Sequence, residues 1–232
     1  MKKQLIILVL ILFAFSFSTC QQDDPLVLPN LPKQVNYLAL GDSYTIGQSV
    51  CTTCRFPEQL KTSIEATYPN NPFLLQVIAK TGWTTTNLIS EINLLNPSTN
   101  FDLVTLLIGV NNQYQNRPFS VYETEFPLLV NKAIALAKGD KGNLIVVSIP
   151  DYAYTPFGQG AVNISTGIDQ YNAFAQNYCS ENGITFVNIT DITRMGLSQP
   201  ELVANDGLHP SELAYTKFVE RILPKAISTL VD

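Results

Sequence analysis

Five apolar runs alternate with segments of helical periodicity over most of this 232-residue chain. The runs cover residues 37–41, 73–79, 101–108, 143–149 and 184–189. Because two parallel strands need a long crossover between them, usually a helix, this alternation predicts a parallel sheet with helices on both faces. The run at 101–108 is apolar enough to be buried on both sides, as parallel strands are. The sequence therefore predicts an α/β fold built on one five-stranded parallel sheet.

The segments between the runs carry residues that typically begin helices. Pro57 lies in the first turn of one predicted helix, and Thr84 to Thr86 cap the next. Further helices are predicted over residues 121–138 and 166–181, and from Ser211 onward. Residues 151–165 are predicted as a long loop, and loops of that length in a compact domain are often functional.

Charge argues against one class of function. The net charge is −5, and no block of lysine and arginine occurs along the chain. Proteins that bind nucleic acids carry basic patches that neutralise phosphates. We therefore expect no nucleic-acid partner. The oligomeric state is left open by the sequence.

The first twenty residues have the pattern of an export signal. Lys2 and Lys3 make a positive start, and residues 5–17 are almost wholly apolar. The apolar run is too short for a confident membrane span and has the length of a signal peptide core. We therefore expect a protein that is exported from the cytoplasm.

Cys20 follows this leader and small residues, in a pattern that resembles a bacterial lipobox. Phe17 departs from that pattern, because such boxes usually have Leu there. The expected organisation is a signal peptide and lipobox over 1–20, a tether over 21–35 and a folded domain over 36–232. We thus expect a periplasmic or cell-surface lipoprotein held to the membrane by lipid on Cys20. Simple cleavage of the leader and secretion is the alternative.

Cys51 and Cys54 form a C-x-x-C pair. In a reducing compartment such a pair suggests redox chemistry or zinc binding, but a zinc site needs further cysteines or histidines close by. Outside the cytoplasm the pair favours a local disulfide. We therefore expect a Cys51–Cys54 disulfide and no metal site.

Three polar or glycine-containing turns follow the first three predicted strands. They carry Ser43, Gly82 and Asn111. Parallel strands end at the same edge of a sheet, and ligands of open α/β sheets bind there. Residues that lie far apart in the sequence are therefore expected to meet at this edge.

His209 is the one histidine of the chain. A serine is a weak nucleophile that needs a base, so His209 is the one imidazole that can activate Ser43. Asp206 lies three residues before His209, within reach of its Nδ1 proton. The backbone N–H groups of Ser43 and Gly82 and the side-chain amide of Asn111 are candidate donors to an oxyanion. These residues predict a Ser–His–Asp triad with an oxyanion hole.

The order of these residues resembles that of the SGNH/GDSL hydrolases over residues 36–230. The matching blocks are Gly41-Asp42-Ser43, Gly82, Gly109-Val110-Asn111 and Asp206-Gly207-Leu208-His209-Pro210. The resemblance implies a flavodoxin-like, doubly wound three-layer α/β/α fold. It also implies a serine esterase or lipase that uses no metal or other cofactor.

Two positions depart from the family pattern. Tyr44 replaces the usual Leu, and Asn112 stands where the third block usually has Asp. The resemblance assigns the oxyanion role to Asn111, so we expect Asn112 to brace the loop. The α/β-hydrolases fit less well, because their nucleophile is followed two residues later by Gly, and here that residue is Thr45.

The resulting expectation is a membrane-tethered esterase that hydrolyses small O-acyl esters, with lysophospholipids, other lipid esters or acylated sugars as candidate substrates. A catalytically silent surface lipoprotein that binds glycan or lipid is the alternative. Several aromatic residues are expected near the edge of the sheet, where they either contact substrate or pack the loops. These residues are Trp83, Tyr114, Phe119, Tyr152, Tyr154 and Phe157.

Overall fold

The structure, a computed structural model, describes residues 30–231. The predicted signal peptide, Cys20 and most of the predicted tether lie outside the described residues. The described chain contains a five-stranded sheet in which all neighbouring strands are parallel. Its strands are β1 Val35–Gly41, β2 Phe73–Ala79, β3 Leu103–Leu107, β4 Leu144–Val147 and β5 Thr185–Val187.

The spatial order of the strands is β2-β1-β3-β4-β5, which is the flavodoxin-like doubly wound order. The predicted fold class is confirmed. After β1 the chain forms β2 on one side of β1, and it then crosses back to form β3 on the other side of β1. The switch between these two directions lies between β1 and β3, and a crevice forms at such a point.

Eight helices accompany the sheet in the described part of the chain. They are α1 Ser43–Ile46, α2 Phe56–Thr67, α3 Thr85–Leu95, α4 Val110–Tyr114, α5 Phe119–Leu136, α6 Val162–Asn182, α7 Thr190–Thr193 and α8 Glu212–Val231. The α2 helix packs on α8, whereas α5 packs on both α3 and α6. These two groups make the outer layers of the α/β/α arrangement. Among residues 30–231, no helix combines the length and the hydropathy needed to cross a membrane.

The central strands form the core. Every residue of β3 and β4 is buried, as expected for parallel strands covered by helices on both faces. Tyr37 and Thr105 face each other in this core, and their hydroxyl oxygens lie 3.0 Å apart. That contact satisfies two polar groups that would otherwise be costly to bury.

Several element boundaries differ from the prediction. Residues 43–46 form a helical turn within a segment that was predicted as a loop, and α6 begins at Val162 rather than at Thr166. β1 begins at Val35, the last residue of the predicted tether. Just before it, Leu31 is buried and its carbonyl oxygen accepts a hydrogen bond from Asn71 Nδ2. The end of the predicted tether therefore packs against the domain.

Candidate active site

Ser43 is the first residue of α1 and follows directly on the end of β1. The preceding Asp42 caps this helical turn, because its Oδ1 atom accepts a hydrogen bond from Tyr44 N at 3.0 Å. A Cβ atom at Gly41 would lie 2.1 Å from Thr45 Oγ1 and 2.4 Å from the carbonyl oxygen of Leu107. A glycine is therefore needed at position 41 for α1 to fold back against β3.

His209 and Asp206 lie on the turn that precedes α8. The Nδ1 atom of His209 lies 2.6 Å from Asp206 Oδ2. Asp206 Oδ1 accepts hydrogen bonds from the backbone N–H groups of Leu208 at 2.9 Å and His209 at 3.0 Å. Burial opposes ionisation of Asp206, but hydrogen bonds from Ser49 and His209 outweigh it and hold the pKa of this carboxyl well below its ordinary value. Asp206 is thus a carboxylate that accepts the Nδ1 proton.

One cavity of about 180 Å³ joins the predicted site residues. Its walls are Ser43, Tyr44, Thr81, Gly82, Val110, Asn111, Tyr114, Tyr152, Leu208 and His209. The structure thus brings Ser43, Gly82, Asn111 and His209 to one space, with Asp206 behind the imidazole. No hydrogen bond joins the Ser43 hydroxyl to the His209 ring within residues 30–231, and such contacts often tighten only when substrate binds.

Gly82 and Asn111 face Ser43 across this cavity. Gly82 has a φ of +83° and no atom near the position of a Cβ, so its backbone is open to a ligand. Its carbonyl oxygen accepts a hydrogen bond from Gln115 Nε2 at 2.9 Å. Asn111 Nδ2 donates to the carbonyl oxygen of Trp83 at 3.1 Å and lies 3.4 Å from Asp42 Oδ2. The second of these contacts is long, so a stronger acceptor in the cavity can compete for that amide hydrogen.

Asn112 is fully buried and points away from the cavity. Its Oδ1 atom accepts from Thr85 N at 2.9 Å, and its Nδ2 atom donates to Thr85 Oγ1 at 2.7 Å. The Thr85 hydroxyl in turn donates to the carboxylate of Glu125, which also accepts from Thr86 Oγ1. An amide at position 112 supplies a donor that a carboxylate lacks. Asn112 therefore braces α4 against α3, and the departure from the family pattern suits this network.

Asp42 is a fully buried acid that directly precedes Ser43. Burial raises the pKa of this carboxyl from 3.8 to about 7, although the Tyr44 N–H and the Asn111 amide partly offset the effect. Near neutral pH the group therefore exists in both protonation states. A negative charge at this point would oppose an oxyanion held by Asn111, whereas the protonated acid would not.

The aromatic residues divide into two groups. Tyr114 and Tyr152 line the cavity, and both rings contact Phe157, whose side chain is half exposed. We call Tyr114, Tyr152 and Phe157 the aromatic wall. Phe119 lies elsewhere: it packs against Tyr171 between α5 and α6. Phe119 is the first residue of α5, and its ring packs in the helical layer and does not line the cavity.

The loop over residues 47–55, between α1 and α2, makes contacts that the sequence did not indicate. Ser49 Oγ donates to Asp206 Oδ2 at 2.6 Å, and Gln48 Oε1 accepts from Thr81 Oγ1 at 2.6 Å. Cys51 and Cys54 are joined by a disulfide on the same loop. No spacing or motif marks Ser49 or Gln48, since both contacts depend on how the loop folds across the edge of the sheet.

An α/β/α sheet that carries a serine, a His–Asp pair and backbone donors at its carboxyl edge has the arrangement of a hydrolase that acts on ester bonds. The model of the GDSL-like lipase/acylhydrolase family matches residues 39–217. The chain belongs to this family. A search of the curated proteins found no match.

Solved structures share this fold at low sequence identity. A lipase from a goat rumen metagenome is 19% identical with a TM-score of 0.67, over 83% of this chain and 98% of that chain. An acetylxylan esterase from Geobacillus stearothermophilus is 19% identical with a TM-score of 0.64, over 83% and 94%. A lipase/acylhydrolase from Enterococcus faecalis is 17% identical with a TM-score of 0.65, over 84% and 97%. The similarity covers nearly the whole of each of these chains.

Substitutions of the two adjacent asparagines should have different effects, one on turnover and the other on stability. Asn111→Ala should lower kcat on the order of a hundredfold, with little change in KM, because the amide is needed when charge develops on the oxyanion. Asn112→Ala should lower the free energy of unfolding by about 1–3 kcal/mol, because it leaves the buried Thr85 N–H without a partner. Steady-state kinetics on a nitrophenyl ester and denaturant unfolding measure both effects. The opposite ranking would exchange the roles assigned to the two residues.

Asp42 should make the stability of the protein depend on pH. Its pKa is higher in the folded state, so its favourable contribution is complete below the ordinary value of 3.8 and is lost as the pH rises through about 7. Asp42→Asn keeps an acceptor for the Tyr44 N–H but does not titrate. The free energy of unfolding of the wild type should fall relative to that of Asp42→Asn between about pH 4 and pH 8.

The control for this comparison is Ser90→Ala, which replaces an exposed hydroxyl on α3 that does not titrate in this range. Its stability difference from the wild type should stay nearly constant over the same range. Denaturant unfolding at a series of pH values measures all three proteins. If the difference in unfolding free energy between the wild type and Asp42→Asn were also constant, Asp42 would be ionised in the folded protein over this whole pH range.

Proposed function

We propose that the protein is a serine esterase that hydrolyses O-acyl esters with Ser43 as nucleophile, His209 as base and Asp206 as the group that orients the base. One observation carries the proposal: Ser43 and His209 line the same cavity as Gly82 and Asn111, while His209 Nδ1 lies 2.6 Å from Asp206 Oδ2. Because Asp206 takes the Nδ1 proton, Nε2 is left as the acceptor on the cavity side.

The reaction follows from this tautomer. His209 Nε2 accepts the hydroxyl proton while Ser43 Oγ attacks the carbonyl carbon, and the carbonyl oxygen becomes an oxyanion. The Ser43 N–H, the Gly82 N–H and Asn111 Nδ2 donate to that oxygen. The imidazolium returns the proton to the leaving alcohol, so an acyl-serine remains. Water then attacks the acyl carbon with the same base, and the carboxylic acid leaves Ser43.

The cavity favours a short acyl group. Its volume of about 180 Å³ is below the roughly 300–1,000 Å³ that is usual for ligand pockets. Apart from the proposed catalytic groups, its walls are largely apolar and include Tyr44, Val110, Tyr114, Tyr152 and Leu208. Aromatic rings that are half exposed at the mouth offer flat faces to a sugar. We therefore favour short acyl esters of carbohydrates over long-chain lysophospholipids.

The proposed location is outside the cytoplasm, with lipid on Cys20 as the membrane anchor. The disulfide between Cys51 and Cys54 supports export, because disulfides persist in oxidising compartments. Cys20 itself lies outside the described residues.

Ser43→Ala should remove esterase activity and leave the protein folded. We expect turnover to fall at least about 10⁴-fold, because no other group replaces the nucleophile. A fluorophosphonate probe should label the wild type and the control Ser90→Ala, whose exposed hydroxyl lies on α3, but not Ser43→Ala. Labelling of Ser43→Ala would place the nucleophile elsewhere, and a folded wild type that turns over no ester would favour the catalytically silent alternative.

Tyr114 should set the acyl-chain length. The wild type should hydrolyse acetyl and butyryl esters faster than octanoyl esters, because Tyr114 and Tyr152 line the small cavity and limit its length. Tyr114→Ala should raise the ratio of octanoyl to acetyl kcat/KM about tenfold, as removal of a pocket wall typically does. The control is Leu94→Ala, at an exposed position on α3. A panel of nitrophenyl esters measures the ratio, and an unchanged ratio would exclude Tyr114 as the limiting wall.

A further inference from the structure

We propose that Ser49 is a positioning residue that orients the carboxylate of Asp206 and couples it to the element that carries Ser43. This inference rests on the proposed function, because it assigns a role within the triad. Ser49 lies six residues after Ser43, on the 47–55 loop, and has no part in the motif blocks. Its role is recognisable only from contacts made across the edge of the sheet.

The carboxylate of Asp206 shows why Ser49 matters. Its Oδ1 atom is held from within its own turn, by the N–H groups of Leu208 and His209. Its Oδ2 atom receives two contacts of 2.6 Å, one from His209 Nδ1 and the other from Ser49 Oγ. Among the described residues, Ser49 is the one hydrogen-bond donor to this carboxylate that does not belong to the turn itself. It therefore fixes the direction from which Oδ2 approaches the imidazole.

The backbone at Ser49 supports a functional interpretation. Ser49 has a φ of +68°, a left-handed conformation that side chains other than Gly, Asn and Asp rarely adopt. Strained backbone of this kind persists where the surrounding structure holds it and tends to cluster at active sites. A glycine at this position would remove the strain but also the hydroxyl that reaches Asp206.

The 47–55 loop is held on both sides of Ser49. On one side, Gln48 Oε1 accepts from Thr81 Oγ1, next to the predicted oxyanion residue Gly82. On the other side, the Cys51–Cys54 disulfide closes the end of the loop, and the carbonyl oxygen of Cys54 accepts from Gln59 on α2. The loop thus ties Asp206 to the opposite wall of the cavity.

The ionisable groups around this contact come from several elements. They are His209, Tyr44, Tyr215, Glu201 and Glu212. Burial raises the pKa of both tyrosine hydroxyls well above the ordinary value, so neither ionises near neutral pH. The two glutamates line a groove beside Ser49 and are unchanged in the variants proposed below. Asp42, whose pKa burial raises to about 7, is also unchanged in these variants. A difference in the acidic limb of the pH–rate profile between a Ser49 variant and the wild type would therefore report on the Asp206–His209 pair.

The test compares Ser49→Gly with the wild type. Ser49→Gly should be at least as stable as the wild type, because the left-handed backbone is relieved. Its kcat should nevertheless fall about tenfold, because Asp206 loses a charge-assisted hydrogen bond that orients it. Without the Ser49 hydroxyl, His209 is the one remaining hydrogen-bond partner of Oδ2 in the described chain, so the carboxylate stabilises the protonated imidazole more strongly. The acidic limb of the kcat/KM profile should therefore move to higher pH. KM should change little.

Ser49→Asn is the rescue variant, because Asn tolerates the left-handed region and its amide can donate to a carboxylate. It should recover most of kcat. Asn96→Gly is the control for backbone relief, since Asn96 is exposed at the end of α3 with a φ of +43°. It should leave both kcat and the pH profile unchanged.

The outcomes separate the two proposals. If Ser43→Ala is inactive and Ser49→Gly keeps the wild-type kcat and pH limb, the role of Ser49 is excluded while the esterase proposal stands. If Ser43→Ala remains active, the proposed triad itself fails. A loss of kcat in Ser49→Gly that comes with a lower melting temperature and an unchanged pH limb would show a structural role alone and would also exclude the proposal.

Discussion

The hydrogen bonding between β1 and β3 determines where every other part of the site lies. The two strands pair in parallel with Gly41 opposite Leu107, so they end at the same level. The residues that follow them, Ser43 on one side and Asn111 on the other, therefore emerge beside each other at the switch point of the sheet. Parallel pairing also requires helical crossovers, and these cover both faces and exclude water from the strands. The proposed catalytic residues can then lie on short turns, because the sheet supplies the rigidity.

Polar groups in the interior hold these turns in place. Asn112, Thr85 and Glu125 form a chain of hydrogen bonds between α4, α3 and α5. Each member satisfies the donors and acceptors of its neighbour, which is what makes a buried polar network tolerable. Asp42 is different, since burial raises the pKa of its carboxyl to about 7. The buried acid Asp42 and the strained backbone of Ser49 thus lie close to Ser43 in the chain, where such features shape a site at some cost to stability.

The parts of the molecule that could be predicted from the sequence depend on periodicity and on topology. Apolar runs indicated all five strands, and the rule that parallel strands end at one edge indicated that Ser43, Gly82 and Asn111 meet there. The contacts of Ser49 and Gln115 could not be predicted, because they join residues distant in sequence through loop conformations that no pattern encodes. The packing of Phe119 on Tyr171 could not be predicted either, because α5 begins two residues before its predicted start. The contact of Asn111 with Trp83 likewise depends on a rotamer that only packing decides.

The presence of a single histidine makes the proposed catalytic base directly observable by magnetic resonance. Because the chain contains one histidine, every imidazole resonance in a nitrogen-labelled sample arises from the proposed catalytic base. The hydrogen bond to Asp206 sets its tautomer, so Nδ1 carries the proton and Nε2 reports the contents of the cavity. A histidine-rich enzyme needs assignment before its base can be followed. Here the protonation state of the base and its response to acyl-enzyme formation can be followed by magnetic resonance in the unmodified protein.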